Sequence, residues 1–117
     1  MSTCIVCGKP FRQPTPWRLT CRGKCTREHH VAVFQARREW DRIRDRMVAY
    51  LIQRDHGRCG LCRRPVRALS GRMGPTGDHI TPLNLGGTNE PENLQLAHKS
   101  CNSVKRDRSI GQQLLIG

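Results

Sequence analysis

Eight side chains of this 117-residue chain fall into two groups of four with the spacing of metal ligands. Cys4-x2-Cys7 and Cys21-x3-Cys25 form the first group. Two short-range pairs suit tetrahedral zinc, because each tight turn aims two sulfurs at one point. Gly8, directly after Cys7, permits the bend that turns backbone N–H groups toward the thiolates. The second group starts from Cys59-x2-Cys62, and of the seven cysteines only Cys101 is then left. His98 stands three residues before it, so His98-x2-Cys101 repeats the two-residue gap and completes a Cys3His site. Seven cysteines and one histidine thus supply eight ligands for two structural zinc ions. An odd cysteine count cannot pair fully within one chain. The N-terminus Met-Ser-Thr-Cys-Ile-Val also lacks a secretory layout, so a reducing cytoplasm is the expected compartment.

A second constellation lies between the halves of the second zinc site: Asp78-His79-Ile80-Thr81-Pro82-Leu83, Gly86-Gly87, Asn93-Leu94-Gln95-Leu96-Ala97-His98, then Cys101-Asn102-x2-Lys105. Phosphodiester hydrolysis needs a nucleophilic water, a proton acceptor and a cation to hold developing charge. His79 suits the acceptor, since a neutral imidazole titrates near physiological pH. Asp78 falls on the opposite face of a regular strand from His79, so the two cannot both face one reaction centre within a regular strand.

This ordered run resembles the HNH endonuclease family, in particular its small phage-type members, over about residues 54–108. The leading knuckle is similar to accessory modules of some members. The resemblance implies a small α+β zinc-stabilised domain. Its ββα-metal, treble-clef-like core would follow a long helix and an N-terminal zinc-ribbon or knuckle module. It implies Asp78 and Asn102 as ligands of one catalytic divalent ion, His79 as the base, and Asn93 as the brace of the loop. It also implies products with 5′ phosphate and 3′ hydroxyl ends. Asn84 and Asn89 rival Asn93 by type, but Asn93 directly precedes the apolar run Leu94–Leu96. The last motif position holds Asn102 rather than His, which favours Mg²⁺ or Mn²⁺ there. His98 is excluded from that role because the structural zinc would lose a ligand.

The elements that must position these groups follow from punctuation and period. Residues 1–27, rich in Pro, Gly and Cys, read as a loop-built knuckle. From Arg27 to Asp55 there is no Gly or Pro, and Thr26 is the expected N-cap. Val33, Ala36, Trp40, Ile43, Met47 and Tyr50, with Leu51 beside them, form an apolar seam at helical spacing. Gly57 ends this helix. Residues 57–77 read as a Cys-x-x-Cys turn and a Gly/Pro-rich loop, and residues 78–108 as strand, loop, short strand and helix. The units expected are 1–27, 28–56, 57–108 and a tail at 109–117.

The formal net charge of +12 points to a polyanionic partner. Residues 1–27 hold six bases and no acid, and residues 57–77 hold five arginines and no acid; the last forty residues balance. Arg12 and Arg18, with Arg58, Arg63, Arg64, Arg67 and Arg72, are the expected phosphate contacts to double-stranded DNA. Lys105, three residues beyond Asn102 on one helix face, is a further candidate. The helix arginines are set aside, because Glu39, Asp41 and Asp45 interleave with them and Arg37–Asp41 is spaced for an ion pair. His29, His30 and His56 lack partner spacing and are expected to have no catalytic role. No apolar run approaches the ~18 residues of a membrane span. The seam packs on the zinc modules, or it pairs with a second copy or a phage packaging protein. The rival functions are a non-catalytic zinc-dependent DNA-binding regulator and a packaging accessory protein.

Overall fold

In the computed structural model, which describes residues 1–13, 15 and 18–105, one long helix carries everything else. This helix, α1, spans Gly23–Arg54 and at 1.5 Å per residue is about 48 Å long. It starts a turn earlier than the sequence suggests. Arg22 is the N-cap, without a side-chain cap bond, and the Thr26 hydroxyl instead lies 2.7 Å from that of Thr20. The metal turn, not a cap, therefore sets the start, placing Cys25 within the first turn. Asp55 closes the helix, and His56 and Gly57 follow with φ of 56° and 68°.

Before α1, strands β1 (Ser2–Thr3) and β2 (Pro10–Phe11) pair antiparallel around the Cys4–Cys7 turn. After it, β3 (Pro75–His79) and β4 (Leu94–His98) form a second antiparallel sheet. A helix follows from residue 99, described through 105. Strand β3 takes in Pro75 and Gly77, residues whose types predict a loop. Proline is tolerated as the first strand residue, and Gly77 is required by packing: a Cβ there would lie 2.7 Å from Trp40 Cη2. Gly77→Ala is expected to cost about 1–3 kcal/mol, read as a lowered thermal midpoint.

The core is small. Leu51, Leu94 and Leu96 are fully buried, with Trp40, Met47, Val48 and Val66 packed around them. Leu94 and Leu96 share a strand face, which is why both meet α1. Of the expected seam, Trp40, Met47 and Leu51 pack at this sheet and Val33 and Ala36 lie beside Ile5 and Leu83, but Tyr50 is 49% exposed and Arg54 packs over its ring. The apolar stripe is thus used within the chain. Arg54 and Asp55 lock the junction. Arg54 donates to Pro91 O at 2.8 Å and to Leu94 O at 2.6 Å, while Asp55 accepts from Leu96 N at 2.9 Å. The Arg54 guanidinium, helped by that N–H, holds the Asp55 carboxyl below its ordinary range despite partial burial. No helix among the described residues is long and apolar enough to cross a membrane. The tail at 109–117 lies outside the described residues.

Candidate active site and metal centres

Both four-residue clusters assemble. In each, the four ligand atoms lie within 4.8 Å of one another. Cys7 and Cys21 sulfurs are 3.7 Å apart, as are those of Cys21 and Cys25. That is far beyond a disulfide bond and close to the ~3.8 Å edge of a tetrahedron with Zn–S near 2.3 Å. In the second cluster His98 Nδ1 lies 3.4 Å from Cys62 Sγ and 3.7 Å from Cys101 Sγ. Its Nε2 lies 3.2 Å from Pro65 O, so Nε2–H donates outward and the Nδ1 lone pair faces the thiols. An outer hydrogen bond of this kind fixes the tautomer that a ligating histidine needs. His98 thus belongs to the structural cluster, as its spacing indicates.

The two Cys-x2-Cys turns share one backbone. Gly8 N donates to Cys4 O at 2.9 Å and Arg63 N to Cys59 O at 3.0 Å, with φ of 76° and 68°. Arg63 thus accepts a left-handed conformation that suits glycine. Burial pushes the Cys59 thiol up, but N–H groups of Cys62, His98 and Leu61 outweigh it and bring it down to about 6. Burial and the neighbouring Cys62 and Cys59 push Cys101 up to about 11. In the other cluster N–H groups, that of Cys7 foremost, bring Cys4 to about 6, while burial and the other thiols lift Cys25 to about 12. Four crowded thiols cannot all ionise alone, and a divalent cation resolves that conflict. Both donor sets fit zinc.

Above the second cluster a cleft of about 350 Å³ gathers Asp78, His79, Asn102 and Lys105 with Trp40, Arg37 and Arg44 of α1. Asp78 pairs with Gln95 and His79 with Leu94 in the β3–β4 register, so the two side chains do occupy opposite strand faces. They share the cleft because β3 is a free edge and its last residue is His79.

The Asp78 carboxylate is 2% exposed. It accepts from Gln95 Nε2 at 2.7 Å and from Lys105 Nζ at 2.8 and 3.0 Å. Lys105 also donates to His79 O at 3.1 Å and Ile80 O at 3.3 Å. Lys105 is therefore seated on the acid rather than displayed on a helix face. The fold builds this place for positive charge. Asn102 lines the same cleft, and a divalent ion on the Asp78 carboxylate would have to take the place of the Lys105 ammonium.

His79 is oriented from α1. Its ring meets Trp40 edge-on, centroids 4.7 Å apart at 75°, and its Nε2 is 2.8 Å from Asn89 Oδ1. Asn89, 8% exposed, donates through Nδ2 to Ala36 O at 2.9 Å and reaches Glu39 Oε1 at 3.4 Å. Both are acceptors, so the amide oxygen must face the histidine. Nε2 then carries the hydrogen, and neutral His79 keeps its lone pair on Nδ1.

Asn93 plays another part. Its Oδ1 accepts from Thr81 N at 2.9 Å, and its Nδ2 donates to Thr81 O at 3.0 Å and Thr88 O at 2.7 Å, closing the loop after His79. The sequence separates Asn93 from Asn89 as loop brace but does not show Asn89 at the ring. Asn89→Ala is expected to lower turnover about tenfold with little change in apparent substrate affinity. Asn89→Asp should move the acidic limb of the rate profile to higher pH, because a carboxylate at Nε2 favours imidazolium.

The expected phosphate contacts are distributed differently from the cleft. Arg58, Arg63, Arg64, Arg67 and Arg72 are exposed, as is Arg12, and none lines the cleft. Arg18 is tied to Thr20 O and Cys21 O at 3.0 and 3.1 Å. Arg37 and Arg44, set aside on the sequence, do line it. Asp41 faces Arg44 at 3.6 Å rather than Arg37. His29 holds Asn84 O at 2.9 Å, a structural bond between α1 and the loop.

A cluster able to hold zinc beside a hairpin and helix, with a histidine and an acid at the hairpin edge, defines a small α+β domain with zinc-capable Cys sites. Residues 59–108 match the model of the HNH endonuclease family, and this part of the chain is an HNH domain. Comparison with curated proteins and with solved structures gives no match.

Proposed function

We propose that the chain is a metal-dependent DNA endonuclease in which His79 is the general base. The observation that carries this reading is the fixed tautomer of His79, whose Nδ1 lone pair is left for a proton beside Asp78, Asn102 and Lys105. Nδ1 takes a proton from water as that oxygen bonds to phosphorus and the P–O3′ bond breaks, the departing 3′ oxygen taking a proton from solvent water. The products carry 5′ phosphate and 3′ hydroxyl ends. Asn89 keeps its bond to Nε2–H throughout and stabilises the imidazolium. Asp78 and Asn102 would hold a divalent ion, Mg²⁺ or Mn²⁺ by their oxygen donors, which would supply stabilisation of the charge that develops during cleavage.

The two Cys-rich clusters hold structural zinc in this reading, with 1–27 as the knuckle, 28–56 as the linking helix and 57–108 as the nuclease unit. Lys105, once displaced from Asp78, is within the cleft to contact a phosphate. Arg12, Arg18 and the arginines of 57–77 add sequence-independent contacts to the duplex. Supercoiled plasmid incubated with the zinc-loaded protein and Mg²⁺ or Mn²⁺ should become nicked or linear. An intact plasmid with every metal would leave a DNA-binding role in its place.

A further inference from the structure

A larger groove, about 1170 Å³, runs from the knuckle along the first half of α1 to the short turn Leu83–Leu85. Arg37 and Asn84 line both this groove and the catalytic cleft, so the two are one continuous surface. Arg18, Arg27 and Arg37 line it, and among the described residues no carboxylate does; Glu28 lines a different pocket, beside Ile5. Among the described residues, Arg27 and Arg37 make no ion pair or side-chain hydrogen bond within the chain, so both guanidinium groups are available to a ligand. Phe34 forms part of the wall and is 60% exposed, with Arg38 5.7 Å from its ring centre. His30, exposed, lies on the same wall.

From this geometry we infer that the groove binds a few unpaired nucleotides of the strand that continues from the scissile phosphate. The inference rests on the nuclease reading for its direction, not for its chemistry. Free guanidinium groups suit phosphates, and an exposed aromatic ring among them suits a base face, which is presented only by a nucleotide outside the duplex stack. A second copy of the chain fits the surface poorly. The exposed apolar residues of α1 fall in two separate places, Val31 with Phe34 and Tyr50 with Ile52. Exposed Arg38, Arg42 and Arg46, with Glu39, Asp41 and Asp45, lie between them, so α1 offers a copy no continuous apolar face.

The test is fluorescence anisotropy of the full zinc-loaded chain, without added Mg²⁺ or chelator, on a labelled oligothymidylate and on a blunt hairpin duplex. The oligothymidylate should bind the more tightly. Phe34→Ala should weaken that binding about tenfold, and Arg27→Ala should reduce the salt slope of log affinity by about 0.7. Phe34 is exposed, so helicity by circular dichroism should be unchanged and a fold defect can be recognised. Equal affinity for both probes, or Phe34→Ala binding like wild type, overturns the inference. A fall in sedimentation mass on Phe34→Ala with unchanged oligothymidylate binding overturns it in favour of a second copy. If no metal supports plasmid cutting while the binding preference stands, the nuclease reading fails and the groove does not.

Discussion

His79→Ala is expected to slow plasmid cleavage by about 10²–10⁴-fold, the usual contribution of a positioned general base, in a protein that still folds. The structural cost should be small. The ring is only partly buried, at the mouth of a cleft, and Asn89 Oδ1 loses one hydrogen bond, worth about 1 kcal/mol. Water can enter to replace it. His79→Gln sharpens the comparison, because its amide can still donate to Asn89 while offering no basic nitrogen. If the lone pair matters, both variants lose activity alike, and free imidazole restores part of it to His79→Ala. If the ring matters only as packing against Trp40, both variants lose thermal stability and His79→Ala is not rescued by imidazole. Thermal melts and single-turnover rates measured together separate the two outcomes.

What the sequence revealed, and what it hid, divides by range. The metal clusters were legible because their ligands come in pairs two or three residues apart, and because the leftover cysteine needed a partner that His98 supplied. Asn93 stands out among the asparagines by its place beside the apolar run. Asn89 does not, since its role depends on Ala36 O and Glu39, 53 and 50 residues away on α1. The same distance hid Arg37 and Arg44. Charge alternation suggested self-pairing, whereas the direction in which each arginine leaves the helix is decided by where β3 packs. Gly77 and Pro75 misled for a local reason. Both usually break strands, but one stands at a strand end and the other gives room to Trp40. The helix, read as a linker, is therefore part of the site: Ala36, Glu39 and Trp40 hold the histidine and its partner in place.

Stripping the ion from Cys59, Cys62, His98 and Cys101 should unfold the domain, and this is the largest stability effect expected of any single change. Three fully buried leucines are a thin core, and at about 1.5–3 kcal/mol each they cannot offset the ordering entropy of some fifty residues. Apparent zinc binding of about 10–16 kcal/mol in small domains is of the size needed. The cluster also ties separate parts of the site together. Cys59 and Cys62 follow α1, while His98 ends β4 and Cys101 lies in the first turn of the helix that carries Asn102 and Lys105. Losing the ion thus frees both halves of the cleft at once. A chelator should abolish the ellipticity of the hairpin and the cleavage activity together, and zinc, but not Mg²⁺, should restore both. The pH dependence has a definite sign. Cys101 keeps its proton up to about 11 without metal, so zinc must expel it and binding tightens as pH rises. Cys59, lowered from 9.0 to about 6, is a ready ligand above that value, and its contribution is lost as pH falls through 6. Zinc release measured with a colorimetric chelator should therefore steepen below about pH 6. Cys59→Ser should release zinc at neutral pH, whereas Leu69→Ala, on the exposed loop beyond Cys62, should not. A domain that keeps its hairpin and its melting transition after complete zinc removal would show that packing alone holds β3, β4 and α1 together.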